Sequence, residues 1–446
     1  MNFEKFGLDR RVFLGIQALG YKAPTPIQDQ AIPLILQGHD IVGLAQTGTG
    51  KTAAFILPVL HQLLAGPRGR LRALIIVPTR ELAEQIQETI RQLGRETELR
   101  STTLYGGVSL LKQCQSLRRG IDVIVACPGR LLDHIHRGNI DFADLKVLVL
   151  DEADQMFDFG FFPTLRKILQ FLPKKQQRLF FSATMPKAVQ GLVNELLHNP
   201  IPIQIGQLDP VSTVEQKFYP VTEALKTELL IKLLQINAME SVLIFTRTKR
   251  RAKQLAEHLE AIGHSATSFQ GNLSQGKRQM ALERFRNKKL KILVATDIAA
   301  RGIDITHVSH VINFDMPGTT EAYTHRIGRT GRATKLGAAF TLITPSDGRQ
   351  MRSMERQFKQ ILQKCIIPEF NYHAVPNTSM ALSKAHDNHS SRQQQILVAR
   401  TYNTSRQINL HNNNTHQKNS TRHGSHSGHF QKSNTKPLRT TFNDNR

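Results

Sequence analysis

Val147-Leu148-Val149-Leu150-Asp151-Glu152-Ala153-Asp154 is an apolar run that passes, without a turn, into three carboxylates. Four apolar residues in a row read as a strand buried on both faces, as in a parallel sheet, and the C-terminal edge of such a strand is where open α/β sheets bind ligands. The acids therefore stand where a metal ion or a phosphate would sit. Stability alone does not explain them, because an uncompensated buried carboxylate is costly. The bland alternative is a strand followed by an acidic, solvated helix start. What separates the two is whether the rest of the chain supplies a phosphate cradle and a cationic partner.

A cradle lies upstream. Ile41-Val42-Gly43-Leu44 reads as a short strand, followed by Ala45-Gln46-Thr47-Gly48-Thr49-Gly50-Lys51-Thr52 and then an apolar helical segment. Strand, phosphate loop and helix in this order gather backbone N–H groups and a helix N-terminus around a polyphosphate. Lys51 would reach the β/γ-phosphates and the Thr52 hydroxyl would ligate Mg²⁺. The loop departs from the general pattern only at Ala45, where Gly is usual.

Further apolar runs at 74–77, 121–126 and 179–181 alternate with charged segments of helical period, as repeated βα units require. Polar motifs end these runs: Pro78-Thr79-Arg80-Glu81, Pro128-Gly129-Arg130 and Ser182-Ala183-Thr184. Any one of them could be a helix cap or a turn. Together with Asp151 they would share one rim of one sheet. A second βα series follows, with strands expected at 242–245, 292–295, 308–312 and 340–343, and it has no phosphate loop of its own. Two halves with one cradle suggest that the second half works on the nucleotide of the first. Its candidates are Thr296-Asp297-Ile298-Ala299-Ala300-Arg301-Gly302-Ile303-Asp304 and His325-Arg326-Ile327-Gly328-Arg329-Thr330-Gly331-Arg332. Glycines inside a helix cost about 1 kcal/mol each against Ala. They fit either a solvated basic turn or a segment that lets a phosphate approach, with Arg329 and Arg332 as counter-charge.

The chain has 446 residues and a formal charge of +24, from 59 Lys+Arg against 35 Asp+Glu, which favours a polyanionic partner, nucleic acid before membrane. No apolar stretch approaches the roughly 18 residues that span a bilayer. Cys114, Cys127 and Cys365 are odd in number and widely spaced, which argues against disulfides and structural zinc and suits a reducing cytoplasm. The first residues show no charged segment leading into an apolar core, so no signal peptide is expected. In residues 20–28, Pro24 and Pro26 flank Thr25 and hold Gln28 in a defined place. The segment is either a rigid loop that projects an amide or a helix start capped by Thr25. Pro, Gly and Asp cluster between Pro200 and Pro210 and mark a linker. Residues 369–446 carry only three acids (Glu369, Asp387, Asp444), lack periodicity and read as a disordered basic tail. His423, His426 and His429 in that tail read as solvated residues.

In combination these motifs resemble the DEAD-box ATP-dependent RNA helicases of superfamily 2, and most closely the bacterial RhlE-type subgroup, over roughly residues 1–368. Residues 20–28 resemble the Q motif and 45–52 motif I. Residues 78–83, Gly106-Gly107 and 128–130 resemble motif Ia, the GG motif and motif Ib. Residues 151–154 and 182–184 resemble motifs II and III, and 243–246, 295–304 and 325–332 motifs IV, V and VI.

The resemblance implies an α/β chain of two RecA-like domains in tandem: an ATP-binding domain at 1–205, a linker at 206–213, a helicase C-terminal domain at 214–368 and the tail at 369–446. It implies ATP and Mg²⁺ as cofactors. Gln28 would read adenine, with Phe3 and Tyr21 as the associated aromatics. Ala45, Gln46, Thr47, Gly48, Thr49, Gly50, Lys51 and Thr52 would cradle the phosphates, and Asp304 would contact the ribose. Asp151 and Thr52 would hold the metal, Glu152 would activate water, and Arg329 and Arg332 would reach the γ-phosphate. Asp154, Ser182 and Thr184 would couple hydrolysis to domain closure. RNA would be held through backbone and 2′-OH by Thr79, Arg80, Gly107 and Arg130 in the first domain and by Gln275, Arg278 and Thr296 in the second. A cytoplasmic monomer engaged with ribosomal or RNA-decay assemblies is expected. An ATP-gated RNA clamp without turnover and a DNA translocase are the competing readings. Cys127 stands where the family usually has Thr, and no role is transferred to it.

Overall fold

A strand buried on both faces needs helices on both faces, and the chain supplies them. The computed structural model describes residues 2–46, 48–197, 199–205, 214–300, 308–331, 337–358 and 361–374. Seven strands form the first sheet: β1 (Ile41–Leu44), β2 (Ala73–Ile76), β3 (Ser101–Leu104), β4 (Val123–Ala126), β5 (Val147–Leu150), β6 (Gln177–Ser182) and β7 (Ile201–Gln204). Their order is β3-β4-β2-β5-β6-β1-β7, with every pairing parallel. The second sheet holds β8 (Val214–Pro220), β9 (Val242–Phe245), β10 (Ala266–Phe269), β11 (Ile292–Ala295), β12 (His310–Asn313) and β13 (Gly337–Ile343). It is ordered β10-β11-β9-β12-β13-β8, again all parallel.

The period of two in a strand divides each apolar run between two cores. Val147 and Val149 of β5 enter the core covered by helices Arg10–Ala18, Pro26–Leu36, Lys51–Leu64 and Arg80–Leu93, whereas Leu148 and Leu150 enter the opposite one. β9 divides likewise, Val242 and Ile244 to one side and Leu243 and Phe245 to the other. This double burial is why the runs are uninterrupted.

Strand order fixes the rim. β5, β6 and β1 are neighbours, so the segments that follow them (151–154, 182–184 and 45–52) stand side by side, and the segments after β2 and β4 continue the row beyond β5. At the opposite edge, Arg72 and Asp122 form a fully buried ion pair at 3.0 Å. Asp122 also accepts from the N–H groups of Gly69 at 3.1 Å and Arg100 at 2.9 Å, and Arg72 donates to Leu63 O at 2.7 Å. Removing one partner strands a buried charge, so Asp122→Ala is expected to lower stability by about 3–5 kcal/mol, read by denaturant unfolding.

Two sequence expectations meet a different outcome. Residues 201–204, inside the Pro-rich stretch, are the edge strand β7, where Pro202 is tolerated because an edge leaves one row of N–H groups unpaired. The packed chain also continues past residue 368. Lys232 Nζ donates to Glu369 at 2.9 Å, Phe370 and Tyr372 meet edge to face at 4.9 Å, and both rings pack with Ala374 against the core of the second sheet that holds Val242 and Ile244. The unit that carries both sheets ends at Ala374. Residues 206–213, where a linker is expected, and residues 375–446 lie outside the described residues.

Candidate active site and nucleic-acid interface

The phosphate loop leaves β1 with Ala45 N–H bonded to Ser182 O at 3.1 Å, and turns through Gly48 (φ 89°) and Gly50 (φ 94°), both in the left-handed region that favours glycine. Lys51 opens the next helix, is buried, and donates from Nζ to Ala45 O at 2.7 Å. The Gln28 amide ties the upstream segment to this loop: Oε1 accepts Thr25 N–H at 3.0 Å and Nε2 donates to Gly50 O at 3.1 Å. A Cβ on Gly50 would come within 2.6 Å of that Nε2. A helix does start at Pro26, with the Thr25 hydroxyl buried and without a hydrogen-bond partner, and the Gln28 amide is held against the loop rather than projecting freely. Phe3 and Tyr21 lie together, ring centroids 6.2 Å apart.

Beside the loop, Asp151 and Glu152 are 2% exposed, and Glu152 N–H bonds to Asp151 Oδ1 at 2.9 Å. Glu152 has φ 54°, a left-handed conformation that costs a non-glycine residue on the order of 1–3 kcal/mol and collects at functional sites. Its Oε2 is buried with no hydrogen-bond partner. Burial pushes the Glu152 carboxyl up to about 7, the Asp151 charge adds to the rise, and the Lys51 and Arg329 cations oppose it. Burial likewise raises Asp151, against the pull of Lys51. Arg329, buried at the end of the helix Thr320–Ile327 of the second sheet, therefore acts on a carboxylate of the first.

Asp154, Ser182 and Thr184 form one cluster. Asp154 Oδ2 accepts from Thr184 N–H and from Thr184 Oγ1, each at 2.9 Å. Ser182 Oγ accepts Asp154 N–H at 3.2 Å and donates to Thr184 O at 2.7 Å. His325 Nε2 of the second half stands 4.0 Å from the same Asp154 Oδ2. Thr47, Asp304 and Arg332 lie outside the described residues.

Farther along the rim, Thr79 caps the helix Arg80–Leu93 by accepting Leu82 N–H at 3.3 Å. The Arg80 guanidinium lies against Gly107, whose φ of 81° is in the left-handed region that favours glycine; a Cβ there would meet Arg80 Nη1 at 2.3 Å and push the guanidinium aside. Arg130 Nη1 donates to Val108 O at 3.2 Å and to Gln113 Oε1 at 2.9 Å. In the second half Arg278 is buried, stacked over Phe269 at 4.5 Å, and its Nε donates to Glu81 of the first half at 2.6 Å. Gln275 lines a cavity of about 360 Å³ with Glu81, Glu84, Glu88 and Arg286, and its Oε1 is buried without a partner. Thr296 is buried beyond β11.

A DEAD/DEAH box helicase family model matches residues 25–192, and a helicase conserved C-terminal domain model matches 225–334. The DEAD-box ATP-dependent RNA helicase RhpA of Helicobacter pylori is 40% identical over 378 residues, 84% of this chain and 76% of that one. RNA helicase CrhR of Synechocystis is 44% identical over 368 residues, 82% and 74% of the two chains. The chain belongs to the DEAD-box ATP-dependent RNA helicases. Its two sheets are the tandem RecA-like domains of this family. The Saccharomyces cerevisiae Dbp5 structure with RNA and ADP BeF3 superposes with a TM-score of 0.72 at 30% identity, covering 82% of this chain and 95% of that one.

Three features of this DEAD-box helicase escape a reading of its sequence. Glu81 stands in a polar motif, but its pairing with Arg278, 197 residues away, has no local signal. Arg326 is set apart from Arg329 by packing. Its guanidinium is clamped by Asp297 at 2.5 and 2.7 Å, Asn313 at 3.1 Å and Asp315 O at 2.7 Å, under the Phe245 ring, which makes it a tie within the second sheet. Gln113 accepts from Arg130, 17 residues away, across two separate helices. Cys127 is the N-cap of helix Pro128–His136 and makes no side-chain capping bond, and burial pushes its thiol up to about 12, leaving it an inert thiol. Its extended backbone suits threonine, so Cys127→Thr is expected to supply the missing cap and add about 1 kcal/mol of stability, measured as a shift in denaturant midpoint.

Proposed function

We propose that this helicase couples RNA-stimulated ATP hydrolysis to local, non-processive separation of short RNA duplexes or remodelling of RNA–protein particles. One observation carries the reading: a buried, unpartnered carboxylate oxygen, Glu152 Oε2, flanked by Lys51 from the first half and Arg329 from the second. An unsatisfied buried oxygen calls for a ligand, and a water molecule poised to attack a phosphate would satisfy it. The water oxygen bonds to the γ-phosphorus as the bond to the bridging oxygen of ADP breaks, and Glu152 accepts the proton. Lys51 and Arg329, with Arg332, offset charge on the transferring group, and the amide of Gln28 with Phe3 and Tyr21 seats the base.

Thr52 and Asp151 are the residues that would hold Mg²⁺, which when bound offsets phosphate charge. Among the described residues no three metal-ligating side chains converge. That donor set suits an ion that keeps water and phosphate oxygens as most of its ligands. Asp154, held by Thr184 and Ser182 and approached by His325, is the link between hydrolysis and closure of domains 1–205 and 214–368. Thr79, Arg80, Gly107 and Arg130, with Gln275, Arg278 and Thr296, hold the RNA backbone, and the basic residues of the tail add contacts to phosphate. A monomeric, cytoplasmic protein of the RhlE-type subgroup fits this reading. Displacement of a labelled strand from a short RNA duplex tests it: ATP should drive release, whereas ATP-dependent retention of RNA with no displacement and no phosphate release would mark a clamp.

A further inference from the structure

Arg130 lies in the first turn of the helix Pro128–His136 that follows β4, while Gly106 and Gly107 sit in the loop after β3, and one buried side chain bonds to Arg130 and to the residue before the glycines. Gln113, in the helix Leu110–Arg118, donates from Nε2 to Tyr105 O at 3.0 Å, the carbonyl immediately before the two glycines. Its Oε1 accepts from Arg130 Nη1 at 2.9 Å and pairs with His134 Nε2 at 3.0 Å. Behind it, His134 Nδ1 meets Asn139 Nδ2 at 3.1 Å.

The chemistry of the partners leaves this relay one arrangement. A guanidinium only donates and a backbone carbonyl only accepts, so Arg130 and Tyr105 O fix which end of the Gln113 amide faces which. With Oε1 as acceptor, His134 must carry its proton on Nε2. Its Nδ1 then needs a donor, which Asn139 supplies. His134 is fully buried, and burial first, with the Arg130 charge second, holds it below the ordinary histidine range, in the neutral form this pattern requires.

We propose that Gln113 is a positioning residue that fixes Arg130 and the Gly106-Gly107 loop as one seat for the RNA backbone. The inference rests on the assignment of Arg130 and Gly107 to RNA made above. A sugar–phosphate backbone repeats at a set interval, so two contacts on separate strands' loops work together only if their spacing is held. Gln113 holds it with a bond to each side. Val108 O and Gln113 Oε1 together pin Nη1 of Arg130, which sets the plane of the whole guanidinium.

Gln113→Met keeps the volume and helix propensity and removes the three bonds that Gln113 makes, to Tyr105 O, Arg130 and His134, while Val108 O still holds Arg130 from one side; Gln113→Ala removes the volume as well. In the full chain, Gln113→Met is expected to raise the concentration of single-stranded RNA that half-stimulates ATP hydrolysis by about tenfold. The KM for ATP and the RNA-free rate should stay within about twofold of wild type, since no bond of the relay reaches the phosphate loop. In an Arg130→Ala background the same change should add little, because the group it positions is gone. Wild-type RNA affinity in Gln113→Met, an equal loss in both backgrounds, or a parallel loss of RNA-free turnover would overturn the proposal. If Arg130→Ala itself binds RNA as wild type does, the assignment of Arg130 to RNA fails instead. Should Gln113→Ala not fold, the methionine variant decides.

Discussion

Glu152→Gln is expected to retain ATP and lose turnover by about 10²- to 10⁴-fold, the usual contribution of a positioned general base. The amide keeps the size of the side chain and its place after Asp151 but cannot take a proton from water. In the wild-type chain the rate should rise with pH through about 7, as the carboxyl that burial holds protonated becomes a base. The same shift has a cost for the fold. A carboxyl that titrates near 7 when folded, against an ordinary 4.5, binds its proton more tightly in the native state, so its contribution to stability is full below 4.5 and is lost as pH rises through about 7. Without nucleotide, Glu152→Gln should therefore be more stable than wild type at pH 8, by on the order of 2 kcal/mol, with the gain shrinking toward pH 4.5. Loss of ATP binding in this variant, or an unchanged rate, would count against Glu152 as the base.

Arg329→Ala should lower RNA-stimulated phosphate release by about 10³- to 10⁵-fold, the range for an arginine that stabilises a transferring phosphoryl group. Arg329 is buried, belongs to the second half and opposes the rise in the Glu152 carboxyl, so its charge is felt at Glu152 of the first half. Removing it should also drive that carboxyl further up and move the pH–rate profile to higher pH. Arg329→Lys keeps the charge but not the planar fork and is expected to recover only part of the rate. A wild-type rate with alanine at 329 would mean that the second half does not complete the site.

Much of this was open to a reading of the chain because the central strands are buried on both faces. Ile41–Leu44, Val147–Leu150, Val242–Phe245 and Ile292–Ala295 are unbroken apolar runs, and each is a strand with those bounds. The four strands that give no such signal, β3, β7, β8 and β10, are the four edges of the two sheets. An edge strand needs only one buried face, and Ser101-Thr102-Thr103-Leu104 alternates accordingly. The site divides the same way. Motifs that follow a central strand can be placed from spacing alone, because the strand delivers them to the rim. Glu81 with Arg278, His325 with Asp154, and Gln113 with Arg130 are joined only by the packing of separate elements, and no local pattern marks them. Arg326 and Arg329 show the limit at its sharpest: two arginines three apart in one basic segment, one clamped inside its own sheet and the other opposing the rise in the Glu152 carboxyl of the first half.

Phosphate release by the full chain at saturating ATP, measured with and without single-stranded RNA, tests the joint centre of Lys51, Glu152 and Arg329 most directly. The rate is predicted to rise steeply and saturably with RNA in the wild type and to stay flat in Arg329→Ala. An RNA-independent rate in the wild type, or equal stimulation of the two proteins, would contradict a hydrolytic centre completed by the second half of the chain.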